Sequence, residues 1–426
     1  MHLFTHGQRN FIYLLGGLTV GAAAIGMAFA ADEAQRVFRL LIDRWPYASL
    51  VVTPLGFAFA IWLTLRFFQN AQGSGIPQVI AARHVKDAEA QNALVSLRVA
   101  AGKVLVMCVG LLFGASTGRE GPTVQVGASI MFALRRFSPQ REPELLLAGA
   151  AAGVSAAFNT PLAGIVFAIE ELSRSFEART SGLLIGSVIA AGLTSLAILG
   201  DYSYFGSTAA TIPLGSGWFA IILIGVMGGL AGGAFGRIVV AASHGFPGAI
   251  GRIMKTHPIV TALICGLVVA ICGIAGSDSV YGTGYEEAKA IIHGDVADLS
   301  FGPLKFIATV FSALSGIPGG IFAPSLAIGA GLGSDMSVLF TALPIGALAL
   351  LGMVAYLTGV VQAPLTSFVI VYEMTDDNGL VLPLMAAALI AQASSKIVSP
   401  EGLYHGLARN YLMRNKPEPE AAAPAA

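Results

Sequence analysis

Charged residues are scarce in this chain of 426 residues, because Asp, Glu, Lys and Arg together make up 11% of it, against roughly 25% in soluble domains. The formal net charge is zero, and no long basic run supplies the electrostatic footprint that nucleic-acid binding requires. Hydrophobic residues account for 55% of the chain, and its mean hydropathy is +0.75. This composition excludes an ordinary soluble domain and predicts a membrane protein with no nucleic-acid partner.

Cysteine is also scarce, with Cys108, Cys265 and Cys272 the three in the sequence. Each lies inside an apolar run, and none belongs to a CxxC motif or to a Cys/His cluster, so neither a disulfide framework nor a structural metal site is indicated. The seven histidines are scattered without ligand spacing. We therefore expect no metal and no cofactor.

The N-terminus allows two interpretations. Residues 1–31 have the outline of a signal peptide, with a weakly basic start, an apolar run and the small-residue sequence "AFA" at 28–30. However, the uninterrupted run Phe11–Ala30 is long enough to cross a hydrocarbon core of ~30 Å and longer than an ordinary signal core. This length favours a first membrane helix.

Glycine and proline interrupt the later apolar stretches, as in "GIPQ", "GREGP", "NTPLAG", "GIPGGIFAP" and "QAPLT". Several of these stretches are too short to span a bilayer alone. Breaks at membrane depth are tolerated only where protein or a water-filled cavity surrounds the backbone. The pattern predicts a polytopic α-helical protein with discontinuous helices, followed by a disordered tail at 413–426.

Three Gly/Pro-centred landmarks recur in the same order, at offsets of 209, 202 and 203 residues. The pairs are "GSGIPQ" from Gly73 and "GTGYEE" from Gly282, "GREGP" from Gly118 and "GIFAP" from Gly320, and "TPLAGIVFAIEE" from Thr160 and "APLTSFVIVYEM" from Ala363. The nearly constant offset predicts two related halves. Interrupted segments at corresponding positions of two halves point to a transporter binding site between them.

The landmarks themselves favour an anionic ligand. Ser74 offers a hydroxyl between two glycines, and "GREGP" and "GIFAP" each place a glycine before a predicted helix start. Free N–H groups and the positive end of the helix dipole at such a start bind anions. Because "GIFAP" has no Lys or Arg cluster, partial charges would hold the anion weakly enough for release.

"GSGIPQV", "GREGPTVQ", "GGIFAPSLAIGAGLG" and "GLYHGLARN" resemble, in order and spacing, the signature of the CLC family of chloride channels and chloride/proton antiporters. The resemblance implies an all-α polytopic membrane protein with two inverted structural repeats of tilted, discontinuous helices. It also implies a homodimer in the plasma (inner) membrane, with one pathway per subunit. The corresponding boundaries are an N-terminal cytoplasmic segment 1–10, a first repeat 11–212, a second repeat 213–412 and the tail.

The same resemblance assigns site residues. Ser74 and Tyr404 match the hydroxyl donors at the family's central chloride site, and Ile321 and Phe322 match its backbone N–H donors. Glu120 is similar to the gating glutamate, whose carboxylate occupies an anion position when ionised and moves away when protonated. Its negative charge would let it compete with chloride for the same N–H groups.

Glu171, the second acid of "AIEELSR", matches the internal proton-relay glutamate of the family's exchangers. The channel branch typically lacks this acid, so the resemblance implies exchange of chloride for protons, with a passive chloride channel as the alternative. Lys103 matches a basic residue that supplies a background field. Glu170 and Glu373 are expected to be structural.

Less specific interpretations stand beside these assignments. Ser74 could cap a helix, and Glu120 could pair with Arg119 at a helix N-terminus. Tyr404 could anchor the last helix at the lipid interface, and Glu170 and Glu171 could form a solvated pair with Arg174.

An intramembrane serine hydrolase is a remote alternative, because "GASTG" at 114–118 matches the G-x-S-x-G pattern around Ser116. That motif requires a preceding strand and Asp and His partners. A long apolar run precedes it here, so the match is interpreted as accidental.

Overall fold

The computed structural model describes residues 2–137, 142–173, 181–200, 204–208, 210–213, 215, 217–375 and 377–414. Within these ranges the regular structure is helical, apart from two isolated β-bridges between loops. The α-helices, in chain order, are α1 (His2–Arg44), α2 (Ser49–Phe67), α3 (Ile76–His84), α4 (Ala88–Val95), α5 (Leu97–Leu112), α6 (Glu120–Ala133), α7 (Glu142–Phe158), α8 (Pro161–Phe167), α9 (Ser181–Leu199), α10 (Gly217–His244), α11 (Gly248–Thr256), α12 (Pro258–Ala275), α13 (Tyr285–Ile292), α14 (Phe301–Leu314), α15 (Phe322–Asp335), α16 (Ile345–Val361), α17 (Pro364–Thr375), α18 (Val381–Val398) and α19 (Leu403–Arg414).

Helix lengths divide these elements into two classes. Seven helical segments among the described residues are long and apolar enough to cross a membrane. As predicted, helices of only 7 to 14 residues, such as α3, α6, α8 and α15, begin beside the Gly/Pro landmarks. The predicted segment 1–10 is continuous with the first span, because α1 begins at His2, whereas most of the predicted tail lies outside the described residues, because α19 ends at Arg414.

The apolar N-terminal run is part of the packed helix array. Tyr13 and Val20 of α1 are buried and belong to one apolar cluster with Leu145 of α7 and Ala191 of α9. The helix α1 therefore packs against α7 and α9, as a helix that belongs to the membrane domain must. The run predicted as a membrane span lies within α1 and forms a span.

Matching helix crossings relate the two halves. A Cβ atom added at Gly127 of α6 would lie 2.3 Å from the carbonyl oxygen of Gly149 of α7, and one added at Gly329 of α15 would lie 2.4 Å from the carbonyl oxygen of Gly352 of α16. The offsets between these glycines are those of the sequence repeat. Small residues let helix backbones approach closely inside a membrane, so each half uses the same tight crossing.

Two glutamates join the halves reciprocally. Glu170 accepts hydrogen bonds from the backbone N–H groups of Leu365 and Thr366 at the start of α17, at 3.2 and 2.6 Å. Glu373 accepts from Leu162 and Ala163 at the start of α8, at 3.0 and 2.6 Å. Each carboxylate therefore caps a helix N-terminus of the other half. Such mutual contacts are those of a pseudo-twofold relation between the repeats.

Candidate functional site

Three extended loops meet between the repeats. Gly73 forms a parallel bridge with Pro318, and Gly118 forms an antiparallel bridge with Gly320. The second bridge is short, since Gly118 and Gly320 exchange N–H to carbonyl hydrogen bonds of 2.7 Å in both directions. The starts of α3, α6 and α15 are therefore held together by backbone contacts.

Ser74 lies in the first of these loops. Gly73 and Gly75 on either side have φ angles of 61° and 96°, a left-handed conformation that glycine adopts at little cost. The Ser74 hydroxyl is buried and makes no hydrogen bond of good geometry among the described residues, and its polar neighbour is the Tyr404 hydroxyl. A Cβ atom at Gly121, in the first turn of α6, would lie 2.2 Å from the Ser74 hydroxyl oxygen. The hydroxyl therefore packs directly against the start of α6, and no capping bond occupies it.

Glu120 is the first residue of α6 and is only 1% exposed. Neither of its carboxylate oxygens makes a hydrogen bond of good geometry among the described residues, although the backbone amides of Glu120 and Ala323 lie close enough to interact with it. A Cβ atom at Gly118 would lie 2.2 Å from Oε2 of Glu120, 3.2 Å from Pro324 and 3.3 Å from Ala323. The carboxylate is thus directed toward the start of α15.

Arg119 forms its ion pair with another residue. Its guanidinium donates to a carboxylate oxygen of Asp32 at 2.5 Å and to the carbonyl oxygen of Ala28 at 3.0 Å, both on α1. Arg119 therefore interacts with Glu120 only electrostatically, and no ion pair joins these two side chains among the described residues.

Ile321 and Phe322 are the N-cap and first residue of α15. The Ser325 amide donates to Ile321 O at 2.9 Å, as the Thr123 amide donates to Arg119 O at 3.0 Å in α6. The amides in the first turn of any helix have no partner within that helix, and Pro324, the third residue of α15, has no N–H at all. The Gly118–Gly320 bridge holds the starts of α6 and α15, with these amides, next to each other.

Tyr404 lies near the start of α19 and is fully buried, so it is not an anchor at the lipid interface. Its ring centroid is 5.8 Å from that of Phe322. Its hydroxyl is in contact with the Ser74 side chain as a hydrogen-bonding neighbour, and it interacts electrostatically with Glu171 and Glu120. Buried polar groups normally make hydrogen bonds of good geometry, and among the described residues the side chains of Ser74, Glu120 and Tyr404 make none. They therefore form a site that a ligand would complete.

Two cavities approach this site from different sides. One of about 260 Å³ reaches Ser74 and Ile321 and is also lined by Met254 of α11. The other, of about 500 Å³, reaches Arg119 and Tyr204. We call them the Ser74 cavity and the Arg119 cavity. Neither Glu120 nor Tyr404 lines either cavity in the described part of the chain.

Comparisons with known proteins identify the family of this chain. A family profile described as voltage gated chloride channel matches residues 56–396. The chain belongs to this family. It is 33% identical over 468 residues to the H(+)/Cl(-) exchange transporter ClcA of Klebsiella pneumoniae (strain 342), covering 99% of this chain and 93% of the relative. It is 32% identical to the ClcA transporter of Yersinia pseudotuberculosis serotype IB, covering 97% of this chain and 91% of that one.

Solved structures of the voltage-gated chloride channel family share the fold. A slow cyanobacterial Cl-/H+ antiporter matches with a TM-score of 0.81 and 25% identity, covering 96% of this chain and 98% of that one. A CLC-type fluoride/proton antiporter matches with a TM-score of 0.78 and 21% identity, covering 94% and 97%. These matches confirm the predicted fold class, an all-α polytopic membrane protein with two inverted repeats of discontinuous helices. The chain is therefore a multi-pass membrane protein.

The hydrolase interpretation has no support from the two ClcA relatives, which are named as exchange transporters. Ser116 follows helix α5 rather than a strand, and its hydroxyl lies 2.9 Å from the hydroxyl of Thr309. No His or Asp is recorded as a hydrogen-bond partner of Ser116 in the described ranges. The G-x-S-x-G match of "GASTG" in this chain is therefore accidental.

Glu171 lies apart from the central loops, in a π-helical turn, Ala168–Ser173, that continues α8. It is 3% exposed, and its Oε1 is 3.7 Å from Nδ1 of His405. π-Turns inside α-helices are often found at functional sites. The alternative partner Arg174 lies outside the described residues.

Sequence reasoning missed two residues near the site. His405 was one of seven scattered histidines, although its position beside Tyr404 was an available signal. Lys305 was also overlooked. It lies 202 residues after Lys103, and both are fully buried. Lys103 donates to the carbonyl oxygens of Gln72 and Gly73 at 3.1 and 2.7 Å.

Lys305 repeats this contact in the second half. Its ammonium donates to the carbonyl oxygens of Val280 and Gly282, both at 2.8 Å. Each half therefore holds the loop before its short α3 or α13 helix with one buried lysine. Extending the repeat comparison beyond the Gly/Pro landmarks would have identified the pair.

Proposed function

We propose that this protein is a chloride/proton antiporter of the plasma membrane that exchanges chloride for protons through one pathway per subunit. The observation that carries the proposal is the Glu120 carboxylate, which is buried at the start of α6 and interacts with the backbone amide of Ala323 at the start of α15, with no side-chain hydrogen bond to it among the described residues. The curated relatives of about one third identity are named as H(+)/Cl(-) exchange transporters, which supports exchange over passive conduction.

Chloride would bind where the unpaired donors converge. The hydroxyls of Ser74 and Tyr404 and the backbone N–H groups of Ile321 and Phe322 would replace part of its hydration shell. None of these donors carries a full charge, so the ion is held by partial charges and can leave. The Ser74 cavity supplies access from one side.

Glu120 would act as the gate because its carboxylate competes with chloride for the free N–H groups. When ionised, it is attracted to the positive helix ends. When protonated, it loses that attraction and admits chloride. One side chain then alternates between a proton and an anion, and this alternation is the coupling step.

Glu171 would deliver protons from the side of the Ser74 cavity. It lies close to His405, the residue that follows Tyr404 in the chain, and it interacts electrostatically with the Tyr404 hydroxyl. A buried acid in a membrane protein is by default a functional hypothesis. The proposed route runs from Glu171 past Tyr404 to Glu120.

The direct test is exchange itself. The purified protein is reconstituted in liposomes, a chloride gradient is imposed with the membrane potential clamped, and external pH is recorded. Uphill proton movement driven by chloride is expected. Chloride flux without any proton movement would make the protein a passive channel and overturn the proposal.

Neighbouring variants test the relay. Glu171→Gln is expected to stop proton movement while chloride flux continues, and Glu170→Gln, which removes the adjacent carboxylate, is expected to leave the exchange ratio unchanged. Full coupling in Glu171→Gln would refute the relay, and equal loss in both variants would point to damage of the π-turn.

We also propose a homodimer, the repeat boundaries 11–212 and 213–412, and an orientation with the Ser74 cavity toward the cytoplasm. The homodimer rests on the family resemblance. The orientation also rests on the resemblance, which implies that the glutamate matched by Glu171 relays protons from the cytoplasm. Glu171 contacts His405 of α19, and Leu403 and Leu407 of the same helix line the Ser74 cavity.

A further inference from the structure

Two arginines share a polar cavity of about 410 Å³ that is separate from the transport site. Arg66 is in the last turn of α2, and Arg98 is near the start of α5. Gln69, Asn70 and Asn92 also line the cavity. No acidic side chain is among its described lining residues, so the cavity carries two positive charges with no carboxylate to balance them.

The guanidinium groups keep most of their donors available. Arg98 donates one hydrogen bond, to Phe67 O at 3.3 Å, and Arg66 lies over the Phe67 ring at 5.8 Å from its centroid. Two such planar groups, with neighbouring amide side chains, match an anion with several oxygen atoms, and arginine pairs with phosphate through two parallel bonds. The start of α5 adds the positive end of a helix dipole.

Lipid-facing aromatic residues show the depth of this cavity in the membrane. Phe59, Trp62 and Phe67 of α2 are 46%, 44% and 44% exposed, and their rings contact one another along the helix. Exposed aromatic side chains mark the boundary between hydrocarbon and headgroups. The arginine cavity lies at the end of this aromatic row, where lipid phosphates are found.

We propose that the cavity of Arg66 and Arg98 binds the phosphate headgroup of an anionic glycerophospholipid. The proposal does not depend on chloride/proton exchange. The arginine cavity is nevertheless connected to the transport site by hydrogen bonds. Asn70 O accepts a hydrogen bond from the Gln78 side chain at 3.1 Å, and Lys103 donates to the carbonyl oxygen of Gln72. A bound lipid would therefore stabilise the loop that continues into Ser74.

The test is lipid-dependent thermal unfolding of the full purified chain in detergent. Phosphatidylglycerol is titrated against phosphatidylcholine, and soluble glycerol phosphate is added in a separate arm. Phosphatidylglycerol is expected to raise the unfolding temperature of the unmodified protein in a saturable way. An equal rise with glycerol phosphate would assign the cavity to a free anion and overturn the lipid proposal, as would an equal rise with phosphatidylcholine.

Charge-matched variants separate a site from general surface charge. Arg66→Gln with Arg98→Gln is expected to weaken phosphatidylglycerol binding about tenfold per lost charge-assisted contact. The control, Arg252→Gln with Lys255→Gln, removes two exposed cations from α11 on the Ser74-cavity side and is expected to bind like the unmodified protein. Equal weakening in the two double variants would overturn the proposal.

A conservative double variant controls for misfolding of the glutamine variant. Arg66→Lys with Arg98→Lys keeps both charges but loses the planar two-bond geometry, and it is expected to bind with intermediate affinity. If it bound no better than the glutamine pair while chloride flux remained normal, charge would not contribute, and the proposal would fail.

Discussion

Residue 120 in the first repeat and residue 322 in the second occupy the same place in one backbone design. Each is the first residue of a 14-residue helix, two residues after the glycine of the Gly118–Gly320 bridge and two before a proline. The first repeat has Glu120 there, and the second has Phe322, whose ring packs against Phe158 and Tyr404. At this position both halves supply backbone N–H groups, whereas only the first half supplies a titratable side chain.

The largest expected effect comes from removing the charge at position 120, so that neither residue 120 nor residue 322 can ionise. Glu120→Gln keeps the shape of the side chain but cannot ionise. Chloride-driven proton movement in liposomes is expected to be abolished while chloride flux continues, because the N–H groups remain. Proton coupling that survived this change would show that the asymmetry between 120 and 322 has no role in exchange.

The next effect concerns close packing at the two helix starts. The corresponding residues are Gly121 in α6 and Ala323 in α15, so the second repeat already has a Cβ atom there. Gly121→Ala would place that atom 2.2 Å from the Ser74 hydroxyl oxygen. Chloride affinity by calorimetry is expected to fall at least about tenfold as Ser74 is displaced.

Ala323→Gly is the matched control for this variant and is expected to retain chloride affinity within about twofold. An unchanged affinity in Gly121→Ala would show that Ser74 is not a chloride ligand.

The buried lysines sharpen the comparison further. Lys103→Met and Lys305→Met each leave two carbonyl oxygens without their donor, so each is expected to lower the free energy of unfolding by about 1–3 kcal/mol. Lys103→Met is also expected to weaken chloride binding several-fold, since its loop carries Ser74. Lys305→Met is not. Equal chloride affinities in the two variants would contradict this difference.

The smallest effect is expected where the halves are alike. Glu170→Gln and Glu373→Gln each lose charge-assisted bonds to a helix start of the other half, and each is expected to cost about 1–2 kcal/mol of stability. Thermal unfolding should give similar losses for both. A loss confined to one variant would show that the reciprocal contacts are not equivalent in strength.

Sequence reasoning reached the site through glycines and prolines because these residues constrain the backbone locally. "GREGP" and "GIFAP" predict helix starts, and the 202-residue offset predicts that the starts correspond. The contact between Glu171 and His405 could not be predicted, since it joins α19 to a π-turn that no residue pattern marks. The pairing of Arg119 with Asp32 was equally hidden, because charge alone favoured the adjacent Glu120.

The exchanged caps of α8 and α17 have a consequence for how this protein is made. Leu162 and Ala163 emerge from the ribosome and enter the membrane 210 residues or more before Glu373 exists to accept from them. The first half therefore cannot complete the cap of α8 by itself, and the start of α8 keeps open amides until the end of α17 has been made. The closing of this cap is a late event in the synthesis of the chain, and it makes the final packing of the first half depend on the second.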